Sequence, residues 1–336
     1  MVGVSESEVL ARVEGSLGHL TLNRPRSMNA LTPAMIGALH DALLAWAHDP
    51  AVAAVLIDGA GDRGLCAGGD IKLLYDGILK NNLVPRDFWT HEYDMNATIA
   101  NFGKPYIALM DGVCFGGGVG VSVHGSIRIV TERTQVAMPE TAIGLAPDVG
   151  ALYWLARSPG GLGTFAALTG ARLNAADAIR AGLADLYYPA SALPGLVAAL
   201  REGVLPGPAA AVDPPPALVS DLDRVWVDHC FMADSVEEIA DRLTGRAEPA
   251  AAVALKTLRS MSPTAVKVTL AAIRRAAKLP TVVDVLAQDL VVSCAFTRHP
   301  DLPEGIRSAV VDKDRNPKWV PARWEDVTEA DVQSYF

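Results

Sequence analysis

The sequence contains few cysteines, and their spacing fits neither a metal site nor a disulfide framework. The four cysteines lie far apart, at positions 66, 114, 230 and 294. Neither Cys-x-x-Cys nor His-x-x-x-His occurs, so the common zinc motifs are missing. We therefore expect reduced thiols, as in a cytoplasmic protein, and no bound metal.

Long apolar runs and an excess of positive charge are also absent. No segment approaches the roughly 20 apolar residues of a membrane-spanning helix, and the first residues lack the basic-then-apolar pattern of a secretory signal. The last three residues do not match the peroxisomal tripeptide. A formal net charge of −9 disfavours nucleic-acid binding, which depends on neutralising phosphates. The sequence thus indicates a cytoplasmic protein that binds neither membranes nor nucleic acids.

The first half of the 336-residue chain alternates strand and helix patterns. Half of all residues are apolar and a fifth are charged, which favours a sizeable folded core. Short apolar runs predict buried strands, and a loose alternation before them predicts a hairpin; these segments are 52–57, 106–110, 127–130 and 10–23. Helical patterns lie between them, at 33–49, 71–79, 86–101 and 117–124. This order predicts an α/β fold with mostly parallel strands, which usually bind ligands at their carboxyl ends.

After residue 150 the pattern becomes mainly helical. Predicted helices cover 162–168, 175–181, 193–201, 235–245, 263–279 and 283–296, the fourth opened by a Ser-x-x-Glu capping box at Ser235. The Pro- and Ala-rich segment 206–216 predicts a linker. We therefore expect an α/β core over residues 1–205 that contains the active site, and a helical region over residues 206–336 packed on the core as one unit.

Two glycine-rich loops and two carboxylates indicate chemistry on a carbonyl group. In the segments 66–70 and 111–120, the glycines directly follow a short apolar run that looks like a strand. Glycine leaves the backbone N–H uncovered, so one N–H from each loop could bind a polarised carbonyl oxygen as an oxyanion hole. Downstream, Glu140 and Asp148 supply two carboxylates. A thioester is the favoured substrate.

Several motifs, in this order, resemble the crotonase (enoyl-CoA hydratase/isomerase) superfamily. They are Cys-Ala-Gly-Gly-Asp-Ile from residue 66, Lys-Pro-Tyr-Ile-Ala-Leu-Met-Asp-Gly from 104, Phe-Gly-Gly-Gly-Val-Gly from 115 and Met-Pro-Glu-Thr-Ala-Ile-Gly from 138. Within the superfamily, Pro-Asp-Val-Gly from residue 147, Gly-Ser-Ile-Arg-Ile-Val-Thr-Glu from 125 and Pro-Glu-Gly-Ile-Arg from 303 are most similar to the 3-hydroxyisobutyryl-CoA hydrolases. The resemblance implies a spiral of ββα units followed by a C-terminal helical region. It also implies hydrolysis of a short 3-hydroxyacyl-CoA in valine catabolism.

The resemblance implies roles for five residues of the reaction site. The N–H groups of Gly69 and Gly117 would form the oxyanion hole. Glu140 and Asp148 would carry the chemistry, and Glu92 would join Gly117, Glu140 and Asp148 in contacting the substrate. Glu140 would either attack the thioester carbonyl to form a mixed anhydride or activate water as a general base. The sequence leaves these two routes open.

The resemblance also implies contacts to coenzyme A, which is part of the substrate, so no separate cofactor is expected. The candidate coenzyme contacts are Arg24, Ala67, Gly68 and Asp70, with Arg26 and Lys72 as further candidates for its phosphates. Members of the superfamily often form trimers or pairs of trimers, so a homo-oligomer is also implied.

The sequence departs from the hydratases of the superfamily at Gly120. Those hydratases use two glutamates. One lies in the Pro-Glu motif, and the other lies three residues beyond the middle glycine of the glycine triplet, which is residues 116–118 in this sequence. Glu140 matches the first, whereas Gly120 occupies the place of the second. Hydration needs one group to activate water and another to deliver a proton, so the departure favours hydrolysis. The alternatives are an enoyl-CoA isomerase or hydratase acting on a fatty acyl-CoA, and a non-catalytic or RNA-binding member.

Overall fold

The β-strands form two sheets in a computed structural model that describes residues 7–207 and 212–336. The larger sheet contains β1 (Val9–Glu14), β2 (Leu17–Leu22), β3 (Ala54–Gly59), β5 (Tyr106–Met110), β7 (Ile127–Val130) and β9 (Leu186–Tyr187), in that spatial order. The first pair is antiparallel, as the predicted hairpin requires, and the remaining pairs are parallel.

The smaller sheet places one strand after each of three strands of the larger sheet. It contains β4 (Gly64–Cys66), β6 (Val113–Phe115) and β8 (Gln135–Ala137), all parallel. From β3 onward, the pairs β3 and β4, β5 and β6, and β7 and β8 are each divided between the two sheets. Repetition of this step generates the spiral of ββα units. The strands of the smaller sheet are only three residues long, too short for an alternation pattern. The apolar runs before the two glycine-rich segments indicated β4 and β6, whereas the sequence did not predict β8.

The helices largely follow the predicted segments. They are α1 (Pro33–Ala47), α2 (Ile71–Leu79), α3 (Val84–Ala100), α4 (Gly117–Gly120), α5 (Ala151–Leu155), α6 (Leu162–Thr169), α7 (Ala175–Arg180), α8 (Leu193–Arg201), α9 (Asp221–Phe231), α10 (Val236–Thr244), α11 (Pro249–Ser260), α12 (Pro263–Ala276), α13 (Val282–Phe296), α14 (Asp301–Ile306) and α15 (Glu329–Gln333). The start of α1 shows the expected chemistry, because the Thr32 hydroxyl accepts a hydrogen bond from Met35 N and Pro33 occupies the first turn.

Two details of the helix predictions are wrong, and one neighbouring prediction is not tested. Helix α4 ends at Gly120 rather than at residue 124, and the Ser122 hydroxyl donates to the Gly118 carbonyl, a local bond that competes with helical pairing. At α10 the Ser235 hydroxyl accepts from Glu238 N, but the Glu238 carboxylate accepts from Asp234 N, so only half of the capping box forms. Residues 208–211 of the predicted linker lie outside the described residues.

One large hydrophobic core runs from the N-terminal strands to the C-terminal helices. Its members include Leu20 of β2, Met95 of α3 and Phe296 of α13, all buried. Helix α13 packs on α3, and α14 packs on the turn that begins with Glu140. The C-terminal helices therefore lie against the elements that carry the candidate site.

Candidate active site

The two glycine loops meet because the strands that precede them are paired. Strands β4 and β6 are parallel, with Cys66 opposite Cys114, so the loops leave the same edge of the smaller sheet. Gly68 and Gly116 both have positive φ, +113° and +48°, a conformation that favours glycine. A Cβ placed on Gly117 would lie 3.3 Å from the nitrogen of Gly69.

The N–H groups of Gly69 and Gly117 are not used by neighbouring backbone carbonyls. Leu31 pairs with this loop through the Gly68 carbonyl and the Asp70 N–H, each at 2.9 Å, which leaves the Gly69 N–H outside the pairing. Among residues 7–207 and 212–336, neither N–H donates to a backbone carbonyl. The geometry thus provides two adjacent donors of the kind that the sequence predicted for an oxyanion hole.

Glu140 lies beside the glycine triplet, at the start of a 3₁₀ turn that follows Pro139. A Cβ placed on Gly116 would be 2.9 Å from Glu140 Oε1. Glu140 is 7% exposed, and its Oε2 has no hydrogen-bond partner in the described part of the chain. Burial raises the pKa of Glu140 well above its ordinary value, and the charge of Asp148 raises it further. Buried carboxyls with strongly shifted pKa values are candidates for proton transfer.

Glu92 lies on α3 and faces the same triplet. A Cβ placed on Gly117 would lie only 2.6 Å from Glu92 Oε1, so this carboxyl rests directly on the glycine. Glu92 is 2% exposed, and Oε1 finds no hydrogen-bond partner among the residues described. Burial, followed by the charge of Asp148, raises the pKa of Glu92 well above its usual range. An unpaired buried carboxyl is a typical ligand-binding group.

Asp148 lies between α3 and α13 and is held by a tyrosine. The Tyr93 hydroxyl donates to Asp148 Oδ2 at 2.7 Å, and Ser293 Oγ lies 3.1 Å from the same hydroxyl. Burial raises the pKa of Asp148 to about 6, although the hydrogen bond from Tyr93 acts in the opposite direction. The structure therefore gathers Glu92, Glu140 and Asp148 into one electrostatically coupled group around the glycine triplet.

Gly120 lies against side chains that leave no space for a glutamate. A Cβ at this position would be 2.8 Å from the Cβ of Val149 and 3.0 Å from Asn96 Nδ2. Asn96 is fully buried one helical turn beyond Glu92, and its amide makes no hydrogen bond within the described residues. The side chains around position 120 are therefore packed to fit glycine, so the difference from the hydratases involves Val149 and Asn96 as well as Gly120.

The candidate coenzyme contacts lie around the first glycine loop, and two of them pair with each other. Arg24 lies 3.5 Å from Asp70 and 3.1 Å from Glu8. Ala67 N donates to the Met28 carbonyl, and Gly68 N donates to Cys66 Sγ. Coenzyme contacts at Ala67 and Gly68 would therefore use other backbone groups. The two further phosphate candidates, Arg26 and Lys72, are exposed.

Sequence reasoning missed Tyr93, Asn96, Asp289 and Ser293 at this site. Tyr93 and Asn96 belong to the same helix face as Glu92, and this neighbourhood is the signal that could have found them. Asp289 and Ser293 lie about 140 residues or more from their partners in the chain, and nothing local in the sequence indicates that they approach the site.

Residues 7–207 and 212–336 contain no cluster of three or more His, Cys, Asp or Glu side chains arranged to hold a metal ion. Within the same residues, no helix combines the length and apolar character required to cross a membrane.

The chain belongs to the enoyl-CoA hydratase/isomerase family, because a family model of that description matches residues 17–336. This confirms the resemblance to the crotonase superfamily. The chain is 40% identical to mitochondrial 3-hydroxyisobutyryl-CoA hydrolase of Mus musculus, with 98% of this chain and 89% of that protein covered. It is 38% identical to the Homo sapiens protein of the same name, with 98% and 88% covered.

Two solved structures share the whole fold. A carnitinyl-CoA dehydratase from Mycobacterium thermoresistibile has a TM-score of 0.94 and 45% identity over 98% of this chain and 96% of that one. An enoyl-CoA hydratase from Rhodobacter sphaeroides has the same TM-score and 41% identity, with 98% and 97% covered. These likenesses confirm the predicted α/β fold of ββα units with its C-terminal helices.

The comparisons correct one expectation. The names of both curated relatives place them in mitochondria, which contradicts the predicted cytoplasmic location. The prediction relied on unpaired cysteines and the lack of a secretory signal. These features argue against an oxidising compartment, but they do not distinguish one reducing compartment from another.

Proposed function

We propose that this protein hydrolyses a short 3-hydroxyacyl-CoA thioester, with 3-hydroxyisobutyryl-CoA as the preferred substrate. The products are 3-hydroxyisobutyrate and coenzyme A, and the reaction belongs to valine catabolism. The observation that carries the proposal is the buried group of Glu92, Glu140 and Asp148 around the glycine triplet, with Gly120 where hydratases have their second glutamate. The names of the curated relatives support the same substrate.

The thioester carbonyl oxygen binds the N–H groups of Gly69 and Gly117. Negative charge that develops on this oxygen strengthens both hydrogen bonds, and one such donor contributes about 10²–10³ in rate. In the covalent route, Glu140 attacks the carbonyl carbon, the C–S bond breaks, and coenzyme A leaves as a thiolate that takes a proton. Water then hydrolyses the mixed anhydride and restores Glu140.

In the general-base route, Glu140 takes a proton from water as the water attacks the same carbon. Burial and the charge of Asp148 raise the pKa of Glu140, which makes the ionised carboxylate a stronger base. Asp148 assists proton transfer, and Glu92 binds the 3-hydroxyl. Single-turnover hydrolysis in ¹⁸O-labelled water tests the covalent route, since label enters the Glu140 carboxylate only when water attacks the Glu140 side of a mixed anhydride.

The first experiment measures thiol release from 3-hydroxyisobutyryl-CoA with a disulfide dye. We expect rapid release by the wild-type protein and loss of nearly all turnover in Glu140→Gln. Glu202→Gln, an exposed position after α8, is the matched control and should retain full activity. Full thiol release by the folded Glu140→Gln variant would contradict the proposal.

The second candidate is double-bond chemistry on an enoyl-CoA. It is favoured by the names of the two solved structures described above, which are a dehydratase and a hydratase. Glu140 alone could move a proton between two carbons, as an isomerase requires. Hydration of crotonyl-CoA without thiol release from the 3-hydroxyacyl thioester would establish this alternative.

The remaining expectations concern binding and assembly. Arg24, Ala67, Gly68 and Asp70 are proposed to contact coenzyme A through side chains or free backbone groups, and the reaction needs no other cofactor. A homo-oligomer built from trimers also remains a proposal. Light scattering on the purified protein tests the oligomer directly.

A further inference from the structure

The turn that carries Asp148 contains a valine in a conformation that valine rarely adopts. Val149 has φ +52°, in the left-handed region, where a β-branched side chain crowds the backbone. Gly150, which follows, has φ +74°. A strained backbone persists only where surrounding contacts impose it. The contacts on this turn therefore identify the groups that orient Asp148.

The peptide unit between Val149 and Gly150 is held at both ends. Its carbonyl oxygen accepts a hydrogen bond from His124 Nε2 at 2.7 Å, and its N–H donates to Asp289 Oδ2 at 2.8 Å. A peptide unit is planar, so fixing both ends fixes its rotation. Two side chains from outside the turn thus determine the conformation of Val149 and the direction in which the Asp148 side chain leaves the backbone.

The bonding of His124 defines its tautomer. A carbonyl oxygen only accepts, so Nε2 carries the proton, and Trp154 Nε1 donates to the other ring nitrogen at 3.2 Å. Burial lowers the pKa of His124 to about 4, which keeps the ring neutral in neutral solution. His124 is therefore a fixed hydrogen-bond donor to the turn.

Helix α13 approaches Asp148 by a second route. Asp289 and Ser293 lie one helical turn apart on α13, and Ser293 Oγ is 3.1 Å from the Tyr93 hydroxyl that donates to Asp148. One face of α13 thus contacts the Gly150 N–H, which follows Asp148, and the Tyr93 hydroxyl, which donates to the Asp148 carboxylate.

We propose that Asp289 and His124 are positioning residues, which clamp the Val149–Gly150 peptide and so aim the Asp148 carboxylate at the substrate. The inference rests on the proposed function, in which Asp148 acts on the substrate. Asp289 is 3% exposed, and burial together with the charge of Asp148 holds its pKa well above the ordinary value. Burying a carboxyl costs free energy, and here the carboxyl accepts only one backbone N–H in return. A role in orienting Asp148 therefore explains the presence of Asp289 better than a contribution to stability does.

Kinetics of two Asp289 variants test the clamp. Asp289→Leu removes the acceptor, whereas Asp289→Asn keeps an oxygen for the Gly150 N–H. We expect Asp289→Leu to lower kcat by about 10²-fold, the scale of a misplaced catalytic group, with KM almost unchanged. Asp289→Asn should retain most of kcat.

The matched control is Asp177→Leu. The Asp177 carboxyl is also buried, and it accepts hydrogen bonds from the backbone N–H groups of Leu218 and Val219. The control should lower Tm and leave kcat unchanged.

A spectroscopic measurement tests the clamp without any reaction. In protein labelled with ¹⁵N-histidine, His124 should appear as the tautomer protonated at Nε2, with its proton strongly hydrogen-bonded. Asp289→Leu frees one end of the peptide, so the Nε2–H resonance should shift upfield as the Val149 carbonyl moves. Asp177→Leu should leave this resonance in place.

The outcomes separate the clamp from the proposed function. Wild-type protein without thiol release contradicts the function, while the histidine resonance still decides the clamp. An unshifted resonance in Asp289→Leu overturns the clamp. Wild-type kcat in Asp289→Leu overturns it also, and so does an equal loss of kcat in Asp289→Asn, since the amide retains the acceptor.

Discussion

Single residues of the candidate site lower the stability of the folded protein when they ionise. Burial raises the pKa of Asp148 from 3.8 to about 6, so the folded protein binds this proton more tightly than the unfolded chain. The free energy of unfolding therefore falls as pH rises from about 4 to about 6 and stays lowered above that range. At 1.36 kcal/mol per pKa unit, the ionised Asp148 costs about 3 kcal/mol at neutral pH.

Asp148→Asn should therefore stabilise the protein and reduce its activity. The amide oxygen still accepts from Tyr93, and no charge is buried. We expect a higher Tm in the variant at pH 8 and a smaller gain at pH 4.5, where the wild-type carboxyl is already protonated, together with a large loss of kcat. Thermal unfolding at the two pH values measures this, and an equal gain at both would contradict the pKa assigned to Asp148.

At Gly120, restoring the hydratase glutamate should not restore hydration. The new side chain would meet Val149 and Asn96, and overpacking of a core costs about 1–3 kcal/mol before any charge is buried. We expect Gly120→Glu to unfold at a lower temperature and to show no crotonyl-CoA hydration. Gly37→Glu is the control, because a Cβ there has no atom within 4 Å and the position is exposed on α1. Hydratase activity in a stable Gly120→Glu variant would refute this interpretation.

At the scale of elements, helix α3 presents three neighbouring side chains to the site, and each makes a different contact. Glu92 rests on Gly117, Asn96 lies against Gly120, and Tyr93 donates to Asp148. Tyr93→Phe removes the bond that lowers the pKa of Asp148, so that pKa should rise. If Asp148 acts as the carboxylate, the acid limb of the kcat/KM profile should move to higher pH.

The control for Tyr93→Phe is Tyr106→Phe. Tyr106 is also buried, and its hydroxyl donates to the Val121 carbonyl at 2.9 Å. Loss of either bond costs on the order of 1 kcal/mol in stability. Only Tyr93→Phe should move the pH profile, and an identical shift in both variants would indicate a general loss of packing.

Local sequence signals predicted the elements that a single segment defines. Gly117 and Glu140 occupy continuous motifs, and the start of α1 follows from Thr32 and Pro33, so each could be recognised without the rest of the chain. The left-handed conformation of Val149 could not, because its cause lies in His124 and Asp289, which belong to other elements. Strand β8 of the smaller sheet was missed for a similar reason, since its three residues form a strand only through pairing with β6.

At the scale of the whole molecule, the C-terminal helices pack directly on the α/β core. Asp289 and Ser293 of α13 bond to Gly150 and Tyr93 of the core, and the main hydrophobic cluster extends from Val9 to Tyr335. Separating the two regions would leave buried polar groups unpaired and expose a large apolar face. We therefore expect no stable state in which only one region is folded.

This expectation predicts one cooperative thermal transition for the whole chain. In differential scanning calorimetry the calorimetric enthalpy should equal the van't Hoff enthalpy, as it does for a two-state domain. Asp289→Leu should lower the midpoint without splitting the peak, because the contact it removes joins parts that unfold together. Two resolved transitions, with only one of them sensitive to Asp289→Leu, would mean that the helical region is a separate domain that docks on a core already folded.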